Sequence, residues 1–319
     1  MGNHLEWAGL KVLVTGASGF IGAGLCRSLC RAGSHVHATS RAKRVTEPGG
    51  PTWWQADLAD LASARYLVSS IKPDIMFHLA GMVGASPSVD LVLPTFHSLL
   101  TSTVNLLSVS TEAPLRRMVL VASLTEPESA QGELIPGSPY AAAKWAGGAY
   151  GRMFHRLYGT PYISVRPFMA YGPAQDSKKL IPSVALALLN GESPKLSSGR
   201  LEADWVYIDD VIEGFLQAAL APGIDGQTID LGSGTLTSVR GVVDRLASII
   251  CSEAKPLLGA LPDRPLEQVR LADTAGALAQ IGWKATTPLE QGLQQTVDWY
   301  REQQSVMKDG KTGGVTSVS

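Results

Sequence analysis

Tyr140 and Lys144 stand four residues apart in the run Ser138-Pro-Tyr-Ala-Ala-Ala-Lys144. Ser138 suits a helix N-cap and Pro139 the first helical position, so the run predicts a helix start. Residues i and i+4 of a helix share a face, which brings the phenol and the ammonium together. A cation beside a phenol favours the phenolate and lowers its pKa. The tyrosine can then give or take a proton near neutral pH. Ser123 closes an apolar run, Met118-Val-Leu-Val-Ala-Ser123, and can hydrogen-bond the same substrate oxygen. The Tyr-x-x-x-Lys spacing alone is common by chance. It gains meaning from what precedes it in the chain.

Near the N-terminus stands Thr15-Gly-Ala-Ser-Gly-Phe-Ile-Gly22, between a strand pattern and a helix pattern. Gly16 permits a tight turn, Gly19 a close approach of backbone to a pyrophosphate, and Gly22 close packing of helix on sheet. Ser18, Phe20 and Ile21 complete the loop, whose helix N-terminus offers N–H groups and a positive dipole end to phosphates. This context predicts a dinucleotide cofactor. The second strand ends at Ser40-Arg41, with Arg44 close behind and no acid before Glu47. An acid there would bond the ribose hydroxyls of NAD. Cations suit a 2′-phosphate, so NADP(H) is expected to be favoured over NAD(H). Asp57 and Leu58 are placed to flank the adenine, and Leu79, Ala80 and Gly81 to let the ribose pass. Pro167 and Met169 are expected against the cofactor as well, with Lys144 holding the nicotinamide ribose.

These residues need a scaffold of alternating strands and helices. Strand patterns begin at Leu10, Ser34, Trp53, Ile75, Met118 and Ile163, with helical patterns over 20–32, 62–72, 95–111 and 139–158. Such alternation predicts an α/β fold, a Rossmann doubly wound parallel sheet covered on both faces. After Gly172-Pro173 the alternation loosens, which predicts a smaller interleaved α/β substrate domain. The expected division is 1–173, with 204–235 returning to it, for the NADP-binding domain, and 174–203 with 236–304 for the substrate domain. Residues 305–319 have little to bury and read as a disordered tail.

Composition narrows the function. Charged residues are 17% and the net charge is −1, so no broad field attracts nucleic acid or an anionic membrane. No signal-peptide pattern and no uninterrupted apolar span is apparent. Cys26, Cys30 and Cys251 are an odd set without a Cys-x-x-Cys motif. They point to packing roles in a reducing, cytoplasmic setting, with no metal site.

Taken in order, the glycine loop, the strand ending in serine and the Tyr/Lys pair resemble the short-chain dehydrogenase/reductase superfamily. Within it the chain is similar to the extended branch acting on nucleotide sugars, from about Leu10 to Trp299. The resemblance implies a catalytic triad of Ser123, Tyr140 and Lys144, and an Arg264 that contacts a substrate diphosphate. It implies further substrate contacts from Thr125, Met169, Leu180 and Lys195, and a homodimer built on the 95–111 and 139–158 helices. Asp209-Asp210 reads as a helix cap. Three positions depart from the family pattern: Met169 replaces an Asn, Ala203 an Arg, and Gly148 a Glu. The acid pair of 4,6-dehydratases is missing, since Leu124 and Thr125 follow Ser123 and Glu126 lies one place off. No Cys/His pair marks a 3,5-epimerase. The expected partner is a small molecule, a nucleotide sugar. The expected reaction is NADPH-dependent reduction of a 4-keto(-6-deoxy) nucleotide sugar. The alternatives are a nucleotide-sugar 4-epimerase and a reductase of a non-nucleotide carbonyl compound. A silent NADP-binding regulator is disfavoured by the presence of both Tyr140 and Lys144.

Overall fold

The computed structural model describes residues 4–84, 86–127, 134–263 and 269–312, with side chains from 6 to 305 within those ranges. In chain order the elements are α1 (His4–Trp7), β1 (Lys11–Thr15), α2 (Phe20–Arg31), β2 (His35–Ser40), β3 (Thr52–Gln55), α3 (Leu61–Ile71), β4 (Ile75–His78), α4 (Val92–Thr95), α5 (Ser102–Ser110), β5 (Arg117–Val121), α6 (Pro139–Tyr158), β6 (Tyr162–Pro167), β7 (Met169–Tyr171), α7 (Leu180–Leu189), β8 (Glu202–Tyr207), α8 (Ile208–Leu220), β9 (Thr228–Leu231), β10 (Leu236–Ser238), α9 (Val239–Ile250), α10 (Thr274–Ile281) and α11 (Leu289–Thr312). They form two compact units.

The larger unit comprises Met1–Phe168, Asp209–Gly232 and Ala272–Ala285. Its seven strands are parallel, in the order β3-β2-β1-β4-β5-β6-β9. Val14 pairs with both Ala38 and Phe77, Phe77 with Val119, and Val119 with Ile163. These central residues are fully buried, as a sheet covered on both faces requires. Leu13, Met76, Met118 and Tyr162 pack with Leu67 of α3 and Leu106 and Leu107 of α5. Gly33, at φ +79, closes the C-terminal end of α2 by donating its N–H to the Cys30 carbonyl.

The smaller unit comprises Met169–Ile208, Ser233–Leu271 and Thr286–Ser319. Its three-stranded sheet has the order β10-β8-β7, antiparallel between β10 and β8 and parallel between β8 and β7. The buried Asp204 ties it to the following loop by accepting the Ser233 N–H and hydroxyl and the Gly234 N–H.

The structure differs from the sequence reading in five places. The first segment of the larger unit ends at Phe168 and not at 173, because β7 (Met169–Tyr171) pairs with β8 of the smaller sheet. The expected return of 204–235 to the larger domain holds only for 209–232, because β8 pairs with β7 and β10 instead of joining the large sheet. Residues 272–285 belong to the larger unit, not to the smaller one. The expected tail begins inside α11, which continues to Thr312, since each added residue extends a helix already nucleated. Finally, Val89–Ser110 is a helical run of 22 residues with mean hydropathy 1.2, long and apolar enough to cross a membrane by length and composition. It is not an unbroken apolar stretch, being interrupted by Asp90, His97 and Asn105. In its second half Ser102, Thr103, Leu106 and Leu107 are buried within the larger unit, whereas Val89, Leu93 and Phe96 of its first half are exposed.

Candidate active site

Strand order in the large sheet reverses between β1 and β4, and ligands of such sheets bind at the carboxyl ends beside that point. The glycine loop leaves β1 there. Gly16 has φ +67, and a Cβ on it would lie 2.7 Å from the Leu79 carbonyl carbon and the Ala80 nitrogen. The loops after β1 and β4 are therefore pressed together with no space for a side chain. A Cβ on Gly22 would overlap the Gly16 carbonyl oxygen. Gly19 begins α2 without a side-chain cap, and no acid stands in the first turn. The orphan N–H groups at this helix end are left for an anion, and the cradle fits a dinucleotide pyrophosphate.

Beneath the loop, His78 joins three elements. One ring nitrogen shares a 2.7 Å hydrogen bond with Thr15 Oγ1, and the other a 3.1 Å bond with Thr103 Oγ1. Thr15 Oγ1 also accepts the Ala80 N–H. Burial, with a lesser push from the Lys144 charge, drives the imidazole pKa down to about 3, so His78 is neutral.

Ser40 ends β2, and its hydroxyl accepts the Ala42 N–H at 3.2 Å. Arg41, Lys43 and Arg44 are exposed, and the Arg44 guanidinium lies 5.1 Å from the centroid of the Trp53 ring. Asp57 is exposed and accepts the N–H of Ala59, whereas Leu58 is buried.

Helix α6 begins as its sequence dictates, with Ser138 Oγ accepting the Ala141 N–H and Pro139 in the first turn. It places Tyr140 and Lys144 one turn apart, while β5 delivers Ser123 two residues beyond its end. Ser123 is the hydrogen-bonding neighbour that acts on the Tyr140 hydroxyl. Ser123 Oγ also shares a 2.9 Å bond with Thr125 Oγ1 and accepts the Thr125 N–H. Lys144 is buried and donates to the Val121 carbonyl at 2.9 Å. The triad is thus assembled within the larger unit.

Its electrostatics correct one expectation. The Tyr140 phenol lies above its ordinary pKa, not below, because burial outweighs the Ser123 hydrogen bond and the Glu126 charge adds to the rise. The Lys144 ammonium points at a carbonyl and is itself destabilised by burial, to a pKa of about 8, against an opposing effect of Glu126. In this state Tyr140 is a neutral proton donor held by Ser123.

Glu126 is a residue whose part the sequence reading missed. It is buried, and its Oε1 accepts the Ser123 N–H at 2.7 Å. A Cβ on Gly148 would lie 4.0 Å from Glu126 Oε2. The only sequence signal was a carboxylate three residues after Ser123 and a glycine where an acid was expected.

A family model described as the NAD dependent epimerase/dehydratase family matches residues 12–232. The chain is 30% identical to UDP-glucose 4-epimerase of Mycolicibacterium smegmatis, over 92% of this chain and 99% of the relative. The protein belongs to the NAD dependent epimerase/dehydratase family. It is an enzyme of the extended short-chain dehydrogenase/reductase type. Another family member, dTDP-glucose 4,6-dehydratase of Haemophilus influenzae, is 26% identical over 91% of this chain and 98% of its own. Among solved structures, the UDP-glucose 4-epimerase of Thermotoga maritima with UDP-glucose superposes with a TM-score of 0.84 at 24% identity, covering 92% of this chain and 99% of that one.

Against this family, Met169 opens β7 and Ala203 is buried in β8 opposite Thr237. The residues expected to meet substrate are divided. Thr125 lies beside Ser123 in the larger unit. Leu180, which starts α7, and Lys195, exposed and bridged to Leu257, lie in the smaller unit with Met169. Pro167 ends β6 in the larger unit. Arg264 lies outside the described residues. Asp209 and Asp210 stand inside the first turn of α8, not at its cap, and the Asp210 carbonyl accepts the Trp283 indole N–H at 2.9 Å. Among the described residues no group of three His, Cys, Asp or Glu could hold a metal.

Proposed function

We propose that this protein epimerises a nucleotide sugar at C4, using an NAD(P) cofactor held at the glycine loop. One observation carries the reading. The loop after β5 offers Ser123 to the pair on α6 and, among its described residues, no carboxylate placed to eliminate water: Leu124 and Thr125 hold the two positions after Ser123, Thr125 is bonded to Ser123, and Glu126 turns back onto the Ser123 N–H. Dehydration needs an acid and a base there, whereas epimerisation needs only the triad. A relative that is a UDP-glucose 4-epimerase supports this reading over the net reduction expected from sequence.

The nicotinamide supplies the hydride acceptor and donor at C4. Ser123 Oγ donates a hydrogen bond to O4 and orients it. Tyr140 takes the O4 proton as the C4 carbonyl forms, and returns it when the carbonyl is reduced from the opposite face. Lys144, as a cation, stabilises the phenolate that takes this proton in the first half-reaction and is restored by the second; between them Tyr140 is the neutral phenol. The net change is inversion at C4 with no cofactor consumed. Leu180 and Lys195 of the smaller unit are proposed to hold the nucleotide. Incubation with UDP-glucose or UDP-galactose and catalytic cofactor is expected to give a mixture of the two without a net change in nicotinamide absorbance. Stoichiometric loss of NADPH on a 4-keto-6-deoxy sugar nucleotide, without epimer exchange, would overturn this in favour of ketoreduction.

That second reading is favoured by the end of β2. Arg41, Lys43 and Arg44 are exposed with no acid before Glu47. They support a preference for NADP(H), since a charge-assisted phosphate contact is worth roughly 1.5–3 kcal/mol. Binding titrations are expected to give NADPH at least about a tenfold advantage over NADH. The advantage should shrink in Arg41→Ala/Arg44→Ala, and equal affinities in the unaltered protein would refute it.

Exposed Leu93 and Phe96 beside α4, with Met153 and Leu157 on α6, support a homodimer through these adjoining helices. A monomer mass by light scattering would exclude it.

A further inference from the structure

We propose that Glu126 is a positioning residue for the Tyr140/Lys144 pair, its carboxylate delivered by the loop after β5 into space that Gly148 leaves open on α6. The inference rests on the reading of Ser123, Tyr140 and Lys144 as the catalytic triad.

Three observations converge on it. First, Glu126 is 7% exposed although carboxylates rarely go inside without a partner. Its Oε1 accepts the Ser123 N–H at 2.7 Å, and its own N–H donates to the Ser123 carbonyl at 3.2 Å. This closed turn fixes the residue whose hydroxyl meets Tyr140. Second, α6 is stripped of side chains where the carboxylate lies. A Cβ on Gly148 would stand 3.4 Å from an Arg152 guanidinium nitrogen, 3.9 Å from the Tyr162 hydroxyl and 4.0 Å from Glu126 Oε2. A longer side chain at 148 would compete with Glu126 for that space. Third, the charge acts on the chemistry. Glu126 raises the pKa of Lys144 against burial and raises that of Tyr140 as well.

The groups facing Glu126 are Tyr140, Lys144 and Arg152 from α6 and Tyr162 from β6, with Arg166 of β6 acting on Tyr162. Lys144 must be charged to stabilise the phenolate, yet it is buried with a carbonyl as its hydrogen-bond acceptor. Glu126 supplies the compensating negative charge from a point where it cannot reach the substrate oxygen held by Ser123 Oγ.

Removing this charge moves the ionisation of Tyr140 and of Lys144 in one direction, toward lower pH. The test is the titration of Tyr140 followed by phenolate absorbance, with the signal of Tyr140→Phe subtracted. It requires no substrate, so its failure is distinct from failure of the epimerase reading. Glu126→Gln keeps an acceptor for the Ser123 N–H and removes only the charge. Its Tyr140 midpoint is expected to fall by roughly one pH unit. In Glu126→Ala/Gly148→Glu the shortened side chain at 126 vacates that space, the charge returns from the helix side, and the midpoint is expected to move back toward the original value. A midpoint unchanged in folded Glu126→Gln would overturn the proposal. Should Glu126→Gln lose its native circular dichroism, recovery of fold and midpoint in the double variant supports it. Failure of both variants to fold overturns it, because the carboxylate would then serve folding and not the pair.

Discussion

Replacing Tyr140 by Phe is expected to lower turnover by roughly a hundred- to ten-thousand-fold while leaving fold and cofactor binding intact. The factor corresponds to about 3–5 kcal/mol of lost transition-state stabilisation. The phenol oxygen is the group placed to move the substrate proton, and no other side chain can take over. Ser123 lacks a suitable pKa and is already bonded to Thr125. Lys144 donates to the Val121 carbonyl. The fold should tolerate the change because the features that start α6 lie outside the phenol: the Ser138 cap, Pro139 and the buried Ala141 and Ala143. Burial already disfavours the ionised phenol, so a phenyl ring meets no desolvation penalty there. Ser123→Ala should lose less, since it orients and stabilises without transferring the proton. The measurements are steady-state rates beside melting temperature and cofactor titration. Turnover of Tyr140→Phe within about tenfold of the unaltered enzyme would remove Tyr140 from the mechanism.

A second large effect is expected on stability in acid, from His78. The folded imidazole titrates near 3 instead of 6.5, chiefly because it is buried and secondarily because Lys144 is close. A depressed base of this kind stabilises the native state fully above the unfolded pKa. Below about pH 6.5 the unfolded chain takes up a proton that the folded chain refuses, and stability falls until pH reaches about 3. The loss accumulates at roughly 1 kcal/mol per pH unit to a few kcal/mol, and most of it is reached about two to three units below the unfolded value. Guanidinium unfolding at about pH 7.5 and about pH 4.5 separates this from other titrations when His78→Asn is measured in parallel. The variant is expected to be less stable at neutral pH, having lost the bonds to Thr15 and Thr103, but to lose less on acidification. Equal acid losses in the two proteins would show that His78 is not the group responsible. Because Thr15 also holds the Ala80 N–H, the acid-weakened state should release cofactor as well.

Much of this protein is determined locally and is therefore legible in its sequence. Gly16 and Gly22 can be read because the strand–turn–helix junction leaves no room for a Cβ at either. The start of α6 at Pro139 can be read because a serine cap and a first-turn proline are short-range signals. The parallel sheet follows from apolar runs such as Val12–Val14 and Met118–Val121, which only burial on both faces explains. The comparisons give a nucleotide-sugar epimerase/dehydratase type of relative and do not bear out the net reduction expected from sequence.

What the tertiary structure alone decided depends on long-range packing. The sequence could not assign β8, since an apolar strand pattern does not say which neighbours it pairs with, and β7 and β10 claim it for the smaller sheet. It could not show His78 joining β1, β4 and α5, because those partners are 63 and 25 residues away. The rise of the Tyr140 pKa was equally hidden. The i,i+4 spacing sets the phenol and ammonium on one helix face, but the sign of the shift follows from desolvation, which depends on everything packed around them. Glu126 and Gly148, 22 positions apart, carry no spacing rule that links them. Only the close approach of α6 to the end of β5 turns an unremarkable glycine and a misplaced acid into a single electrostatic feature.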